Sequence, residues 1–265
     1  MRKYAEVFRL SFKMQIVWRF DVAMTMAATF AHILTMWILW RAVFEGKELV
    51  GGLTFKAMLS YYTICAILRS IDFSNQISGE LSELIRIGRF SGHMVTPMNP
   101  MGFFSSMAAG ESAFHLGFSL LSAILCAIVF HINVTLTTDI KRILLSVALI
   151  VLGLTFMAGY RYLLGVLTFK YLEINFVLYM QMSIVAFATG AFVPLGLLPD
   201  AVFVILQFLP FMHVVYTPAM LLTGQIASAD GLFGLAVLLV WTAAVTAIGQ
   251  SAYNRLRVNY DGVGI

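Results

Sequence analysis

The sequence predicts an all-α polytopic membrane protein with six transmembrane helices, an N-terminal interfacial helix and a re-entrant helical hairpin before the last span. Of its 265 residues, 60% are apolar and only 11% are charged, whereas a soluble domain carries about 25% charged residues. A spanning helix needs about 20 mainly apolar residues. Seven apolar blocks lack Asp, Glu, Lys and Arg: 22–40, 57–68, 112–138, 143–160, 174–199, 201–229 and 231–254.

The first twenty residues, 1–20, have the pattern of an amphipathic helix. The charged residues that share one face are Arg2, Glu6, Arg9 and Lys13, and those of the other face are Tyr4, Val7, Phe8, Met14 and Trp18. This pattern is typical of a helix that lies in the membrane interface. The alternative is the charged start of an overlong first span.

The first two spans are predicted at 22–44 and 55–73. The second block is too short to cross a bilayer unless its helix continues past Arg69. Arg69 and Asp72 are three residues apart and can pair along one helix face. Ionisable residues at this depth indicate either a functional site or a neutralised pair near a helix end, and both remain open.

The most polar internal segment is 78–100, with the sequence SGELSELIRIGRFSGHMVTPMNP. Its apolar residues give one helical face, and its glycines and prolines end the helix. A short interfacial helix followed by a turn is therefore predicted.

Spans three and four are predicted at 103–132 and 143–165. Glu111 and His115 lie one helical turn apart, and we expect a hydrogen-bonded polar pair that faces the bundle. A metal site would need a third ligand. Arg161 lies near the end of span four, and the sequence leaves open whether these polar residues bind substrate or only pack.

Residues 174–229 contain four of the six prolines, Pro194, Pro199, Pro210 and Pro218. The segment forms either two spans, which gives seven in total, or one span and a re-entrant hairpin at 192–225, which gives six. Broken helices are tolerated at membrane depth where protein buries them. We choose six spans, with the last at 231–254, because this returns the C-terminal arginines to the side of the N-terminus.

The distribution of Lys and Arg supports this orientation. The basic residues on the N-terminal side are Arg2, Lys3, Arg9, Lys13, Arg19, Arg86, Arg89, Arg161, Lys170, Arg255 and Arg257; those on the other side are Lys47, Lys56, Lys141 and Arg142. Cytoplasmic loops carry the excess of basic residues. Both termini are therefore predicted to be cytoplasmic. Lys141 and Arg142 are the exception to the charge distribution, because they form a basic pair on the other side.

Several motifs that would indicate an enzyme are missing from the sequence. It contains no GxxxxGK[ST] loop for nucleotide, and no HExxH, GxSxG or CxxC. No catalytic residue, metal ligand or cofactor is assigned to this chain. Cys65 and Cys126 lie in apolar blocks and are expected to be small buried side chains. The basic residues lie in short loops beside apolar blocks, so no nucleic-acid binding is expected.

Three segments together resemble the ABC-2-type permease family, in its six-span branch with a separately encoded ATPase. They are the amphipathic helix at 2–20, the polar segment at 77–100, and FVPLGLLPDAVFVILQFLPFMHVVYTPAMLLTGQ at 192–225. The resemblance implies the transport subunit of an ABC exporter, which is not itself an enzyme, in the cell inner (plasma) membrane. It also implies two ABC ATPase subunits that bind ATP and Mg, and a second permease, identical or homologous.

The resemblance assigns roles to two of these segments. Segment 78–100 would couple to the ATPase through Glu80, Glu83, Arg86, Gly88, Arg89, His93 and Pro97. The hairpin at 192–225 would form an outer gate with Pro194, Gly196, Pro199, Pro210, Tyr216, Pro218 and Gly224. Thr96 departs from the family pattern, in which an arginine usually precedes the proline.

A competing hypothesis is an ATP-independent carrier or a membrane-embedded enzyme. It would use Asp72, Glu111, His115 and Arg161 as one internal polar site. Association of segment 78–100 with an ATPase is the feature that distinguishes the two hypotheses.

Overall fold

A computed structural model describes residues 2–131 and 133–260 of the chain. Its α-helices are α1 Arg2–Met14, α2 Arg19–Val43, α3 Phe55–Ser70, α4 Ser74–Arg86, α5 Ser91–Val95, α6 Pro100–Val129, α7 Ile140–Val166, α8 Thr168–Tyr171, α9 Asn175–Ala188, α10 Asp200–Gln207, α11 Tyr216–Leu222 and α12 Ser228–Leu256. Short 3-10 turns lie at Leu195–Leu197, Phe211–His213 and Arg257–Asn259. The strands β1 Leu49–Val50 and β2 Leu53–Thr54 form a small antiparallel hairpin.

Four helical stretches within the described residues are long and apolar enough to cross a membrane. They are Phe20–Val43, Pro100–Val129, Ile140–Tyr171 and Ser228–Leu256. The pair Asp200–Gln207 and Phe211–Leu222 is bent by 81° and would make a fifth span if counted as one. The nearly all-helical membrane fold is therefore confirmed, whereas the count of six spans stays a prediction.

The remaining two predicted spans correspond to shorter helices. α3 has 16 residues and α9 has 14, which at a rise of 1.5 Å per residue gives lengths of roughly 24 Å and 21 Å. The hydrocarbon layer is about 30 Å thick. Neither helix alone reaches across it, although α3 is buried along most of its length.

The predicted N-terminal helix ends at Met14, and a break at residues 15–18 separates it from α2. α1 packs along the first half of α6, where a Cβ on Gly102 would contact the Tyr4 ring and a Cβ on Gly110 would overlap the backbone of Phe8. The order of these contacts shows that α1 and α6 run in the same direction. α1 is thus packed against the helical body, and its position in the membrane interface stays a prediction.

α7 is the central helix of the molecule. It packs along α12 and contacts α4, α6 and α11. Gly159 permits a close approach, because a Cβ there would lie 3.4 Å from Cγ1 of Val245. Small residues at such contacts let helix backbones approach closely. Cys65 and Cys126 are free and buried, as predicted.

Candidate functional sites

The polar segment after α3 forms a surface of charged and apolar side chains. Glu83, Arg86 and Arg89 are exposed, and so are two apolar residues, Ile87 at 43% and Val95 at 85%. Exposed apolar side chains among mixed charges are a composition suited to a protein interface. We call the exposed residues Glu80, Glu83, Arg86, Ile87, Arg89, Val95, Thr96 and Pro97 the docking surface.

The other face of α4 anchors the docking surface to the membrane helices. Ile77, Leu81 and Ile85 are 0–3% exposed. A Cβ on Gly165 of α7 would lie 2.9 Å from Cδ2 of Leu81, so the two helices are in close contact there. The anchoring face of α4 is therefore packed directly against α7.

Gly88 ends α4 and reverses the chain. Its φ of +76° lies in the left-handed region that glycine adopts readily. The Phe90 N–H then donates to the Leu84 carbonyl at 3.0 Å. Gly88 is itself buried, so its role lies in the turn and not in contact with a partner.

His93 packs inside an aromatic cluster beneath the docking surface. Its ring lies 5.6 Å from Phe90 and 5.1 Å from Phe103, and Phe90 also packs against Phe169 and Tyr253. Burial lowers the pKa of His93, which favours the neutral ring in this apolar setting. The ring is therefore suited to holding the segment in place.

α1 and α12 both contact the turn between α5 and α6. Lys3 Nζ donates to the Pro97 carbonyl at 3.2 Å, and the Asn99 N–H donates to the Tyr4 hydroxyl at 3.1 Å. Asn99 Nδ2 also donates to Gln250 Oε1 of α12 at 2.8 Å.

Arg86 pairs with Glu173 at 3.2 Å, but both side chains are exposed, and such pairs contribute less than about 1 kcal/mol.

Segment 192–225, in which α10 and the stretch Phe211–Leu222 are bent by 81°, lies against α3. We keep the name hairpin for this segment. The Tyr61 hydroxyl donates to the Gly190 carbonyl at 2.6 Å, and the Tyr62 hydroxyl donates to the Phe192 carbonyl at 2.8 Å. The loop between β1 and β2 meets the same segment, because a Cβ on Gly51 would overlap the Leu197 side chain. Two hydrogen bonds and one close contact thus hold residues 190–197, where the hairpin begins.

The predicted gate residues shape the turns of this hairpin. Pro199 precedes α10, Pro210 precedes the 3-10 turn that follows, and Pro218 lies in the first turn of α11. Tyr216 is 3% exposed, and a Cβ on Gly196 would lie 3.2 Å from its hydroxyl oxygen. Pro194 precedes the turn at Leu195–Leu197, and Gly224 ends α11 with a φ of +75°.

Two hairpin contacts involve residues that the sequence did not single out. His213 is 2% exposed, and its Nε2 lies 2.8 Å from the Gln207 carbonyl and its Nδ1 2.8 Å from the Thr217 hydroxyl. Because a carbonyl only accepts, Nε2 carries the proton and Nδ1 of the neutral ring accepts from Thr217. The available signal in the sequence was a histidine within the apolar block 201–229.

Arg142 binds the end of the hairpin. Its Nη1 donates to the Gly224 carbonyl at 2.9 Å, and its Nε lies 3.4 Å from Asp139. The exception in the charge distribution therefore has a local structural reason, since this arginine holds α7 to the hairpin.

Arg69 and Asp72, whose spacing would allow a pair along one helix face, form no ion pair among the described residues. α3 ends at Ser70, so the two residues do not share a helix face. Asp72 Oδ1 instead accepts from the Ser74 N–H at 3.1 Å at the start of α4. The Arg69 guanidinium lies over the Phe192 ring, 5.1 Å from its centroid.

The predicted hydrogen bond between Glu111 and His115 is also absent from the described residues. His115 Nε2 lies 3.2 Å from Gln15 Oε1, in the break between α1 and α2, and its ring packs on Phe73 at 4.3 Å. Glu111 Oε2 has no hydrogen-bond partner in the described part of the chain. The tertiary approach of α1 supplies a partner that the helical spacing could not indicate.

The four residues of the competing hypothesis do not form one site. Arg161 and Asp72 line a common cavity of about 170 Å³ between α3, α4, α7, α9 and the hairpin. Glu111 and His115 are not part of its lining. The geometry therefore does not support an internal catalytic or carrier site built from all four.

A family model described as ABC-2 family transporter protein matches residues 30–264. No curated protein matches the chain. The family match covers all four long helices in whole or in large part, together with the docking surface and the hairpin.

Proposed function

Because this chain belongs to the ABC-2 transporter family, we propose that it is the membrane-spanning permease subunit of an ABC exporter. Two separate ATPase subunits bind ATP and Mg²⁺ and supply the energy. A second permease, identical or homologous, completes the path for the substrate. The permease lies in the cell inner membrane, with both termini in the cytoplasm.

The observation that carries this proposal is the reach of α7. Near its C-terminal end Gly165 contacts Leu81 of α4, and near its N-terminal end Arg142 bonds to the Gly224 carbonyl of the hairpin. These positions are 23 residues apart, which corresponds to about 35 Å of helix. α7 is thus one continuous helix that contacts the hairpin at one end and, at the other, the buried face of α4, which carries part of the docking surface.

The proposed mechanism uses this connection. Closure of the two ATPases pushes the docking surface, and α4 transmits the push to α7 through the Leu81 contact. α7 then shifts the hairpin, which is packed against it where a Cβ on Gly153 would lie 3.3 Å from Cα of Val214. Interfaces of this kind switch between discrete packed arrangements, so the hairpin opens as a gate.

Charge reversal at the docking surface tests the proposal. Glu83 and Arg89 are exposed and make no ion pair among the described residues, whereas Arg86 pairs with Glu173. Glu83→Lys combined with Arg89→Glu should therefore leave the permease folded but reduce co-purification of the ATPase and ATP-dependent transport at least tenfold. Complementary charges set interface specificity, which is why reversal should be disruptive.

The matched control is Glu45→Lys combined with Lys47→Glu, which reverses the same charges in the exposed loop after α2. It should leave both readouts unchanged. Undiminished ATPase binding in the docking-surface variant would refute the assignment of this surface.

A further inference from the structure

The cavity between α3, α4, α7, α9 and the hairpin contains a buried arginine. Arg161 is 2% exposed, and its Nε and Nη1 atoms are buried with no hydrogen-bond partner in residues 2–131 and 133–260. Its guanidinium carbon lies 5.7 Å from the ring centroid of Tyr160. A buried charge without hydrogen bonds is strongly unfavourable, so the guanidinium requires a compensating group.

The remaining charges of the cavity do not supply full compensation. Arg69 lies at its exposed rim, and Asp72 contributes the single carboxylate of the lining. One oxygen of Asp72 accepts from the Ser74 N–H, and neither arginine lies within ion-pair distance of it. Two guanidinium groups against one carboxylate leave an excess of one positive charge.

A larger apolar cleft adjoins this cavity. It has a volume of about 620 Å³ and lies between α3, α6 and α7, which is within the range of about 300–1,000 Å³ found for ligand pockets. The two spaces share five lining residues, Leu68, Ile71, Asp72, Ile150 and Leu154. A hydrocarbon chain in the cleft would therefore bring a polar group at its end to the arginines.

We propose that the cavity at Arg161 and Arg69 binds the anionic group of an amphiphilic substrate whose hydrocarbon part occupies the adjoining cleft. Arginine presents a planar fork of donors that matches carboxylate and phosphate oxygens. Arg161 supplies the buried donors, and Arg69 supplies a second positive charge at the rim. This inference rests on the proposed export function and names its substrate class, an amphiphile with one carboxylate or phosphate.

Binding of a fluorescent fatty acid tests the site without the ATPase. The full permease is placed in nanodiscs of zwitterionic phosphatidylcholine and titrated with 11-(dansylamino)undecanoic acid or with its uncharged amide. The acid should bind saturably and at least tenfold more tightly than the amide. Arg161→Gln and Arg69→Gln should each lower the affinity for the acid at least tenfold and leave the affinity for the amide unchanged.

The matched control is Arg41→Gln, which removes an exposed arginine that lies over Trp37 of α2. This variant should bind the acid as the wild type does. Arg161→Gln also carries its own test of folding, because removal of an unpaired buried charge should raise the melting temperature of the ligand-free protein. The acid should then no longer stabilise that variant.

The apolar cleft has a separate test in Ala109→Phe. Ala109 lines the cleft but not the arginine cavity, so the variant should bind the acid with lower affinity. Inorganic phosphate, which needs only the arginine cavity, should still compete with the acid for binding to this variant. Nanodiscs that contain phosphatidylglycerol distinguish the source of the ligand, because loss of probe binding there would identify a bilayer lipid as an occupant of the same site.

Equal binding of acid and amide, or wild-type binding by both arginine variants, would overturn the proposal. A change of oligomeric state in Ala109→Phe without a change in probe affinity would also overturn it, because the cleft would then be a contact between permeases. Failure of these binding tests leaves ATPase coupling untouched, since the docking-surface variants measure coupling independently.

Discussion

Three glycines of α7 determine how closely this helix approaches its neighbours. A Cβ on Gly153 would press on Val214 of the hairpin, one on Gly159 on Met101 and Val245, and one on Gly165 on Leu81. The sequence contains 20 glycines, and nothing in its periodicity distinguishes these three. Their role depends on which helices lie opposite them.

Gly165→Leu tests the contact between α4 and α7. The added side chain would overlap Leu81, and overpacking of this kind costs about 1–3 kcal/mol. We expect a lower melting temperature of the purified permease and weaker stimulation of its partner ATPase. The control Gly117→Leu places the same side chain on α6, where a Cβ meets nothing within 4 Å. Both variants replace a helical glycine by leucine and gain the same helix propensity, so the stability of the control should not fall. Equal effects of both changes would argue against the contact.

At the scale of the elements, the long helices could be predicted and their interruptions could not. Blocks of apolar residues that exceed spanning length identify α6, α7 and α12 because composition alone decides them. The breaks at residues 15–18 and 71–73 fall inside predicted continuous helices. They depend on tertiary partners, such as His115 opposite Gln15.

The β-hairpin was not predicted, although Gly51 and Gly52 carried a turn signal. Both have positive φ, +58° and +78°, as a two-residue hairpin turn requires. Its strands have two residues each, too few for alternation to be visible. The four prolines, by contrast, correctly indicated a broken element, because proline limits helix continuation on local grounds.

The bond between Thr217 and His213 should stabilise the hairpin. Thr217→Val keeps the shape but removes the hydroxyl, which leaves Nδ1 of a buried ring unsatisfied at a cost of about 1–3 kcal/mol. Hydrogen exchange of residues 207–217 should become faster. Thr155→Val is the control, since that hydroxyl bonds only to the Val151 carbonyl of its own helix and is exposed. Unchanged exchange in Thr217→Val would contradict the stabilising role of this bond.

At the scale of the whole molecule, α7 joins the docking surface to the hairpin and also lines the arginine cavity. The arrangement places the proposed substrate group beside the helix that is proposed to move. A shift of α7 would therefore change the surroundings of Arg161 and the position of the gate together. Sequence periodicity could place Arg161 on a span but not in this cavity, because the lining comes from α3, α4, α7, α9 and the hairpin.

Site-directed photo-crosslinking at the docking surface tests the central claim most directly. The native cysteines are buried, so a benzophenone maleimide should label mainly an introduced thiol at Val95→Cys, where the side chain is 85% exposed. Illumination of the complex with the ATPase should then give a permease–ATPase adduct. Leu49→Cys, at a position 59% exposed in β1, should give none. An adduct from Leu49→Cys and none from Val95→Cys would contradict the proposed docking surface.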